Sequence, residues 1–496
     1  MKTAPGYDLI LIHPSYNRRT FSGKIFPLGL GYISSAAVQK GYRTKIIDCA
    51  VAFESLSNES LEKLDGWISR KLQYFIPKLA IGIGPCTTSA VKSIRIIAKE
   101  CKRLFPRIPI IYGGPLASIA GQEELFFSEF MADMVVKGDG EKPICNILNA
   151  LRENESIEGI EGVATRDNIN AQLNIENDLD KLDFPVRPDP KSWLAKQYRP
   201  STRRNNFNGP FATMLISRGC PYTCSYCVSG ALRNGNYHRR SWENVVQEIN
   251  EIVYVTKSRS IIFYDDCFFP SEKSIEKDVI EFSILLKTIN ENISWQIEMR
   301  PNVFMALDRA LIKELYKAGC HQINLGIETP KISTSLVLNK RFDPERLRNK
   351  CNQVSTIEPA IKLTGTFIFG GPDETKESIN ETITYSTTLN LLFAHYYPLE
   401  LYPGTKLYQN YIRKSGKWWW YNKIMSDNLE WGEIVYENEN INRAILLKSI
   451  SQAYNTFYRR KNWVDLAKMA LGDNFQIVEK HVSYWIDNRF RISVGE

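Results

Sequence analysis

The chain has 496 residues, 43% of them hydrophobic and 24% charged, with a formal net charge of +8. At about 150 residues per domain, that length predicts roughly three domains, and the composition excludes disorder for the bulk of the chain. No apolar run approaches the ~18 residues of a membrane span, and the apolar stretch Leu9–Ile12 is too short for a signal peptide, so a cytoplasmic protein is expected. The cation excess is small. Arg203-Arg204, Arg239-Arg240 and Arg459-Arg460-Lys461 read as solvated surface, and no basic stripe interleaved with aromatics points to nucleic acid.

In chain order, DLILIHP (8–14) reads as a buried strand, GLGYISSAAVQKGY as a helix and TKIID as a second strand. LAIGIG (79–84) is a third strand ending in Pro85-Cys86-Thr87-Thr88. SAVKSIRIIAKECKRLF repeats apolar residues at helical spacing, IPIIYGG (108–114) is a fourth strand, and ADMVVKGDGE (132–141) is a fifth before a helix from Pro143. Strands alternating with helices predict a doubly wound parallel sheet, with Gly and Pro gathered at the carboxyl ends where such sheets bind ligands. From 152 to 205 Asn, Asp and Pro accumulate, which predicts a short strand pair and a linker.

A second alternation begins near 211 with FATMLIS and runs through SIIFYDD, SWQIEMR, QINLGIE, LTGTFIFGG and AHYYPLELY, each followed or preceded by a helical segment. About six strand–helix units suit an open partial barrel rather than a closed eightfold one. The expected division is therefore 1–150, a linker at 151–205, a partial barrel at 206–405 and a helical region at 406–496. In the last, Trp418-Trp419-Trp420 could line a substrate or belong to a core.

Ten cysteines without a secretion signal predict reduced thiols or metal ligands. Cys220, Cys224 and Cys227 crowd into eight residues directly after a strand, while the other seven sit in apolar sequence and read as small buried hydrophobes. Three thiolates on one loop can hold three corners of a [4Fe–4S] cluster, and with no fourth cysteine nearby in sequence one iron would stay open for a chelating ligand. Zinc, with His238 as a fourth ligand, is the competing reading.

The C-x3-C-x2-C spacing, with the aromatic Tyr226 before the last cysteine, resembles the signature of the radical SAM superfamily. The resemblance implies a [4Fe–4S] cluster on Cys220, Cys224 and Cys227 whose open iron binds S-adenosylmethionine (SAM). It also implies reductive cleavage to a 5′-deoxyadenosyl radical, with electrons from a donor such as flavodoxin or ferredoxin. Along 211–405, Asp265-Asp266 resembles the acidic strand end that meets the methionine ammonium, Arg300 the arginine facing the site, and Glu328 the glutamate near the ribose. Phe369-Gly370-Gly371-Pro372 and the Tyr402 segment resemble later strand ends near adenine. The resemblance thus implies SAM contacts at Tyr226, Asp265, Asp266, Arg300, Glu328, Gly370, Gly371 and Tyr402.

The first 150 residues resemble the cobalamin-binding domain that precedes the radical SAM domain in one large subgroup. The matching pieces are His13-Pro14, PLGLGYISS with Leu28 and Gly29, GIGPCTT with Gly84, Pro85, Cys86, Thr87 and Thr88, IIYGGPLAS with Gly113 and Gly114, and GDGE with Gly138 and Glu141. No Asp stands two residues before any of the five histidines, so the resemblance implies base-off cobalamin without an axial histidine, and His13 reads as edge-lining rather than as a cobalt ligand. A plain flavodoxin-like regulatory domain is the bland alternative. The pair of domains implies methylation of an unactivated carbon of a small molecule. A cyclisation or rearrangement without methyl transfer, a tRNA methylthiotransferase with a second cluster, and a cobalamin sensor remain as alternatives.

Overall fold

The computed structural model describes residues 6–16, 23–53, 58–200, 211–412, 418–426, 436–460, 463–465 and 467–468. Arg203-Arg204, part of the expected linker and all of the chain after 468 lie outside the described residues. The chain divides into two compact units: Met1–Arg199 with Tyr402–Gly404 and Tyr408–Ile434, and Pro200–Leu401 with Thr405–Leu407 and Val435–Glu496.

The first unit is built on β1 (Gly6–His13), α1 (Leu28–Gln39), β2 (Thr44–Asp48), α2 (Asn58–Tyr74), β3 (Ile76–Ile83), α3 (Val91–Leu104), β4 (Ile110–Tyr112), α4 (Glu123–Glu129), β5 (Met134–Val136), α5 (Glu141–Glu153) and β6 (Val163–Ala164). The sheet order is β2-β1-β3-β4-β5-β6. All neighbours are parallel except the last pair, where Val135 faces Ala164 and Val136 faces Val163. Central β1 is an unbroken apolar run, with Leu9, Ile10, Leu11 and Ile12 at most 3% exposed, because helices cover both faces. α3 buries Val91, Ile94, Ile97, Ala98 and Cys101, a helical-period stripe, and carries Lys102 and Arg103 in its last turn, where cations offset the helix dipole. The expected fifth strand shrinks to three residues, and Gly138 lies beyond it in a loop. The helix Trp419–Ser426 adds Trp420 to this unit's interior. The Trp420 indole donates to Gln122 Oε1 (3.1 Å) and the Tyr421 hydroxyl to Glu129 Oε2 (2.8 Å).

The second unit contains β7 (Phe211–Met214), β8 (Ser217–Gly219), α6 (Val228–Arg233), β9 (Tyr237–Arg239), α7 (Trp242–Thr256), β10 (Ser260–Phe263), α8 (Ile275–Leu286), β11 (Ser294–Met299), α9 (Pro301–Ala306), α10 (Arg309–Lys317), β12 (Cys320–Glu328), α11 (Ile332–Val337), α12 (Pro344–Ile357), β13 (Lys362–Phe369), α13 (Lys376–Thr388), β14 (Phe393–Pro398) and α14 (Arg443–Tyr458). Six parallel strands run in the order β14-β13-β12-β11-β10-β7, a sheet with two unjoined edges, as in a partial barrel. On β11 to β14, Trp295, Ile297, Ile323, Leu325, Phe367, Phe369 and Tyr396 join the helix-side core, and the alternate positions bear Gln296, Gln322, Thr364 and His395.

The edge strand β14 is closed by side chains of the C-terminal region. The Tyr458 hydroxyl accepts from the Ala394 amide (3.1 Å) and donates to its carbonyl (2.9 Å), and the Tyr454 hydroxyl accepts from the Tyr396 amide (3.1 Å). Arg460 donates to the carbonyls of Ser386, Thr387, Leu389 and Leu391, which end α13 and lead into β14. An uncovered edge is a template for pairing with another chain, and here three hydroxyl contacts stand in for the missing strand. No described helix is long and apolar enough to cross a membrane.

Candidate active site

The cysteine loop leaves the sheet at β8, which pairs with β9 so that Arg218 faces His238. Gly219 turns the chain at φ +84°, and a Cβ there would lie 2.2 Å from the Asn236 carbonyl, so only glycine fits between strand and cysteine. Cys227 ends the loop as the residue preceding α6, and its amide donates to the Cys224 carbonyl (3.1 Å). Cys220, Cys224 and Cys227 are half-buried free thiols, whereas the other seven cysteines are buried. Among the described residues no three His, Cys, Asp or Glu side chains surround a single ion. A [4Fe–4S] cluster takes one sulfur per iron, so three accessible thiols on one loop match its donor set, while a single zinc ion would need its ligands convergent.

The folded chain also brings in a cysteine that the sequence places far away. Cys267 lies beside Cys220; their hydrogen bond holds the Cys220 thiol below its ordinary range and, with burial, pushes Cys267 up.

The expected SAM contacts part into groups. Arg300 follows β11 and donates to Cys224 Sγ (3.1 Å), with its guanidinium 3.8 Å from the centre of the Tyr222 ring. This places a cation where a thiolate would form. Asp265 and Asp266 behave differently. Asp265 is 3% exposed, and its Oδ1 accepts from the Ile216 amide, the Ser217 amide and the Ser217 hydroxyl (2.6–2.9 Å), so it knots the β7–β8 connection to the end of β10. Burial pushes its carboxyl up to about 7. Asp266 has more of its surface exposed and accepts from the Ser229 hydroxyl (2.7 Å), although desolvation raises its carboxyl too. The two expected acidic contacts thus sit in different surroundings, Asp265 anchored through Oδ1 and Asp266 more exposed.

Glu328 accepts at Oε1 from the Tyr226 hydroxyl (3.0 Å) and from Lys340 Nζ (2.6 Å). Lys340 is a residue that the sequence reading missed. The amides of Gly370 and Gly371 donate to Glu374 Oε2 (2.7 and 2.8 Å), so these strand-end donors are satisfied within the chain. Glu374, fully buried, has its carboxyl pushed up to about 7 by burial. Tyr402 belongs to the first unit, whereas the other expected SAM contacts belong to the second.

In the first unit the expected cobalamin residues do share the carboxyl edge of the sheet. His13 ends β1, Gly84 to Thr88 follow β3, Gly113 and Gly114 follow β4, Gly138 follows β5, and Leu28, Gly29 and Glu141 open α1 and α5. The loops interlock: the Cys86 amide donates to the Gly113 carbonyl (2.9 Å) and the Leu116 amide to the Cys86 carbonyl (3.0 Å). Cys86 is fully buried, burial pushes its thiol up, and its Sγ lies 3.5 Å from the Ile83 carbonyl. Pro85 and Thr87 are half-buried, with Thr87 Oγ1 bonded to Ser89 Oγ (3.1 Å), and Thr88 is buried. His13 is buried with both nitrogens engaged, Nδ1 to Asp48 (2.8 Å) and Nε2 to the Tyr16 hydroxyl (2.7 Å), while the Tyr198 hydroxyl donates to the other Asp48 oxygen (2.8 Å). His13 therefore anchors the edge and offers no free nitrogen to a metal. Among the described residues, a Cβ at Gly29 or Gly113 would meet nothing within 4 Å, so bare backbone borders open space at these two positions.

The model of the Radical SAM superfamily matches residues 214–385, the stretch that holds the cysteine loop and most of the partial barrel. The chain therefore carries a radical SAM domain. Over its whole length it shares the fold of the radical S-adenosylmethionine methyltransferase TsrM from Kitasatospora setae, solved with cobalamin and a [4Fe–4S] cluster bound. That match has a TM-score of 0.65 at 17% identity and covers 98% of this chain and 99% of that one. A protein named an uncharacterized methyltransferase from Pyrococcus horikoshii is 26% identical over 88% of each chain. The anaerobic magnesium-protoporphyrin IX monomethyl ester cyclase of Cereibacter sphaeroides is 24% identical, covering 91% of this chain and 70% of the relative.

Proposed function

We propose that this protein is a cobalamin-dependent radical SAM enzyme that transfers a methyl group to an unactivated carbon of a small-molecule substrate. One observation carries the reading. The three accessible thiols stand on a radical SAM domain within a chain that follows, nearly end to end, the fold of a methyltransferase solved with both cofactors. When bound, the cluster supplies the electron that cleaves SAM to methionine and a 5′-deoxyadenosyl radical, and cobalamin supplies a methyl carrier.

The chain's own residues serve this chemistry as follows. Cys220, Cys224 and Cys227 hold three irons. Arg300 places positive charge beside the Cys224 sulfur. Asp266 presents a carboxylate for the methionine ammonium, and Glu328, fixed by Lys340, borders the adenosyl portion. Gly29 and Gly113 admit a corrin close to backbone. The working division is a cobalamin-binding domain at 1–150, a linker at 151–205, a radical SAM domain at 206–405 and a C-terminal helical region at 406–496. A cytoplasmic setting with a flavodoxin or ferredoxin as electron donor belongs to the same proposal.

A second reading, oxidative cyclisation or rearrangement, is favoured by the cyclase relative that spans 91% of this chain. Product stoichiometry separates the two. Anaerobically reconstituted protein with cobalamin, SAM and substrate should release S-adenosylhomocysteine and 5′-deoxyadenosine in about equal amounts. Release of 5′-deoxyadenosine and methionine alone would favour the cyclase reading.

A further inference from the structure

The middle of the cysteine loop is gripped by a segment that carries no recognised motif. The Ser225 amide donates to the Leu338 carbonyl (3.0 Å) and its hydroxyl to the Val337 carbonyl (2.7 Å). The Asn339 side-chain amide donates to the Thr223 carbonyl (2.8 Å) and reaches the Thr223 hydroxyl (3.1 Å). Lys340 follows. It is 8% exposed, and its ammonium stands 2.6 Å from Glu328 Oε1 and 3.4 Å from the Tyr226 hydroxyl, which itself donates to the same oxygen. Residues 337–340 thus hold the loop on both sides of its second cysteine, Cys224, and, through Lys340, tie it to the end of β12.

Two features show that this tie is built rather than incidental. Glu328 adopts φ +64°, a conformation that side-chain-bearing residues rarely take, at the point where pairing of β12 with β13 slips between Gly326 and Glu328. Such a backbone persists only where surrounding contacts over-determine it, and the Lys340 and Tyr226 bonds are such contacts. Gly326 supplies the room: a Cβ there would lie 2.6 Å from Lys340 Nζ and 3.1 Å from Glu328 Oε1. A buried carboxylate deprived of its cation is strongly disfavoured, so without Lys340 this one would no longer be held in its present orientation.

We propose that Lys340 is a positioning residue for SAM. It fixes the Glu328 carboxylate, and through it the Tyr226 hydroxyl, so that the cysteine loop and the strand end meet the nucleoside as one preformed surface. The proposal rests on the reading of the domain as SAM-binding.

The test measures SAM affinity by equilibrium dialysis with oxidised, non-reacting holoprotein, alongside iron content. Lys340→Met should keep four irons, since the cysteines are untouched, and weaken SAM binding at least tenfold. In a Glu328→Gln background the same substitution should change affinity less than twofold, because the carboxylate it serves is gone. Unchanged affinity in Lys340→Met, or an equal loss in both backgrounds, would overturn the proposal. If Lys340→Met does not load four irons, Gly326→Ala decides, since it displaces the ammonium but keeps the charge: weaker SAM binding supports the proposal and unchanged binding overturns it. A native protein that loads no cluster or binds no SAM would instead overturn the functional reading, which is a distinguishable failure.

Discussion

The candidate sites of the two units are built on opposite principles. In the second unit, donor side chains are set on one short loop and locked: three half-buried thiols, Arg300 against Cys224, Ser225 and Thr223 gripped by residues 337–339, and Lys340 against Glu328. In the first unit the side chains at the sheet edge turn inward. Cys86 is buried and protonated, His13 is saturated by Asp48 and Tyr16, and what remains open is backbone at Gly29 and Gly113. A site made of side-chain donors is specified by residue identity and spacing. A site made of backbone is specified by what is absent, and it tolerates identity changes until one fills the space.

That contrast predicts where substitutions hurt. The largest effect belongs to the donor site: replacing Cys220, Cys224 and Cys227 by alanine should abolish the cluster and all SAM cleavage. Four irons retained in the triple variant, by iron analysis and EPR, would refute the assignment. At the backbone site, two adjacent glycines should separate binding from stability. Gly113→Phe projects into open space and should leave Tm within about 2 °C of the native value while cutting cobalamin retention at least tenfold. Gly114→Ala, at φ +109° with its Cβ 2.6 Å from the Cys86 nitrogen, should lower Tm by about 3–6 °C. Equal Tm losses in both would break the distinction.

Smaller effects test the scaffold. Tyr458→Phe strips the edge strand of its partner for Ala394 and should cost about 1–3 kcal/mol, seen as a lower denaturation midpoint with unchanged cofactor content. Glu374 provides a pH signature. Burial raises its carboxyl from 4.5 to about 7, so the folded state binds its proton more tightly than the unfolded chain. Its contribution is full below pH 4.5 and is lost as pH rises through 7. Glu374→Gln removes that dependence, so the variant should gain stability relative to the native protein between pH 4.5 and 7. A constant difference in Tm across that range would contradict the raised carboxyl.

How much of this was legible in the sequence follows the same division. The alternation of strands and helices, the partial barrel and the cysteine loop were readable because apolar period and thiol spacing are local. Cys267 beside Cys220 was not, because 47 residues and a strand crossing separate them. Lys340 escaped because its meaning lies in the space left by Gly326 and in the backbone of Glu328, neither of which a sequence displays. Asp265 and Asp266 read as a pair, yet neighbouring strand-end residues point to different surroundings, and only Asp266 remained exposed. For Trp418-Trp419-Trp420 the sequence leaves substrate lining and core both open, and it is silent on what Tyr454 and Tyr458 seal. In the structure Trp420 takes the core alternative, and Tyr454 and Tyr458 seal a sheet edge. His13 illustrates the limit at the backbone site: its position was readable, but its saturation by Asp48 and Tyr16 depended on partners from β2 and the following loop.

The central claim is that the two sites serve one methyl transfer, and methyl-deuterated SAM tests it most directly. Reconstituted holoprotein, given this SAM and the host's small-molecule extract, should yield a product whose mass rises by one labelled methyl group, with S-adenosylhomocysteine formed alongside 5′-deoxyadenosine. A transformed product that carries no label, with no S-adenosylhomocysteine formed, would contradict the account and leave the enzyme a cyclase or rearranging catalyst on the same scaffold.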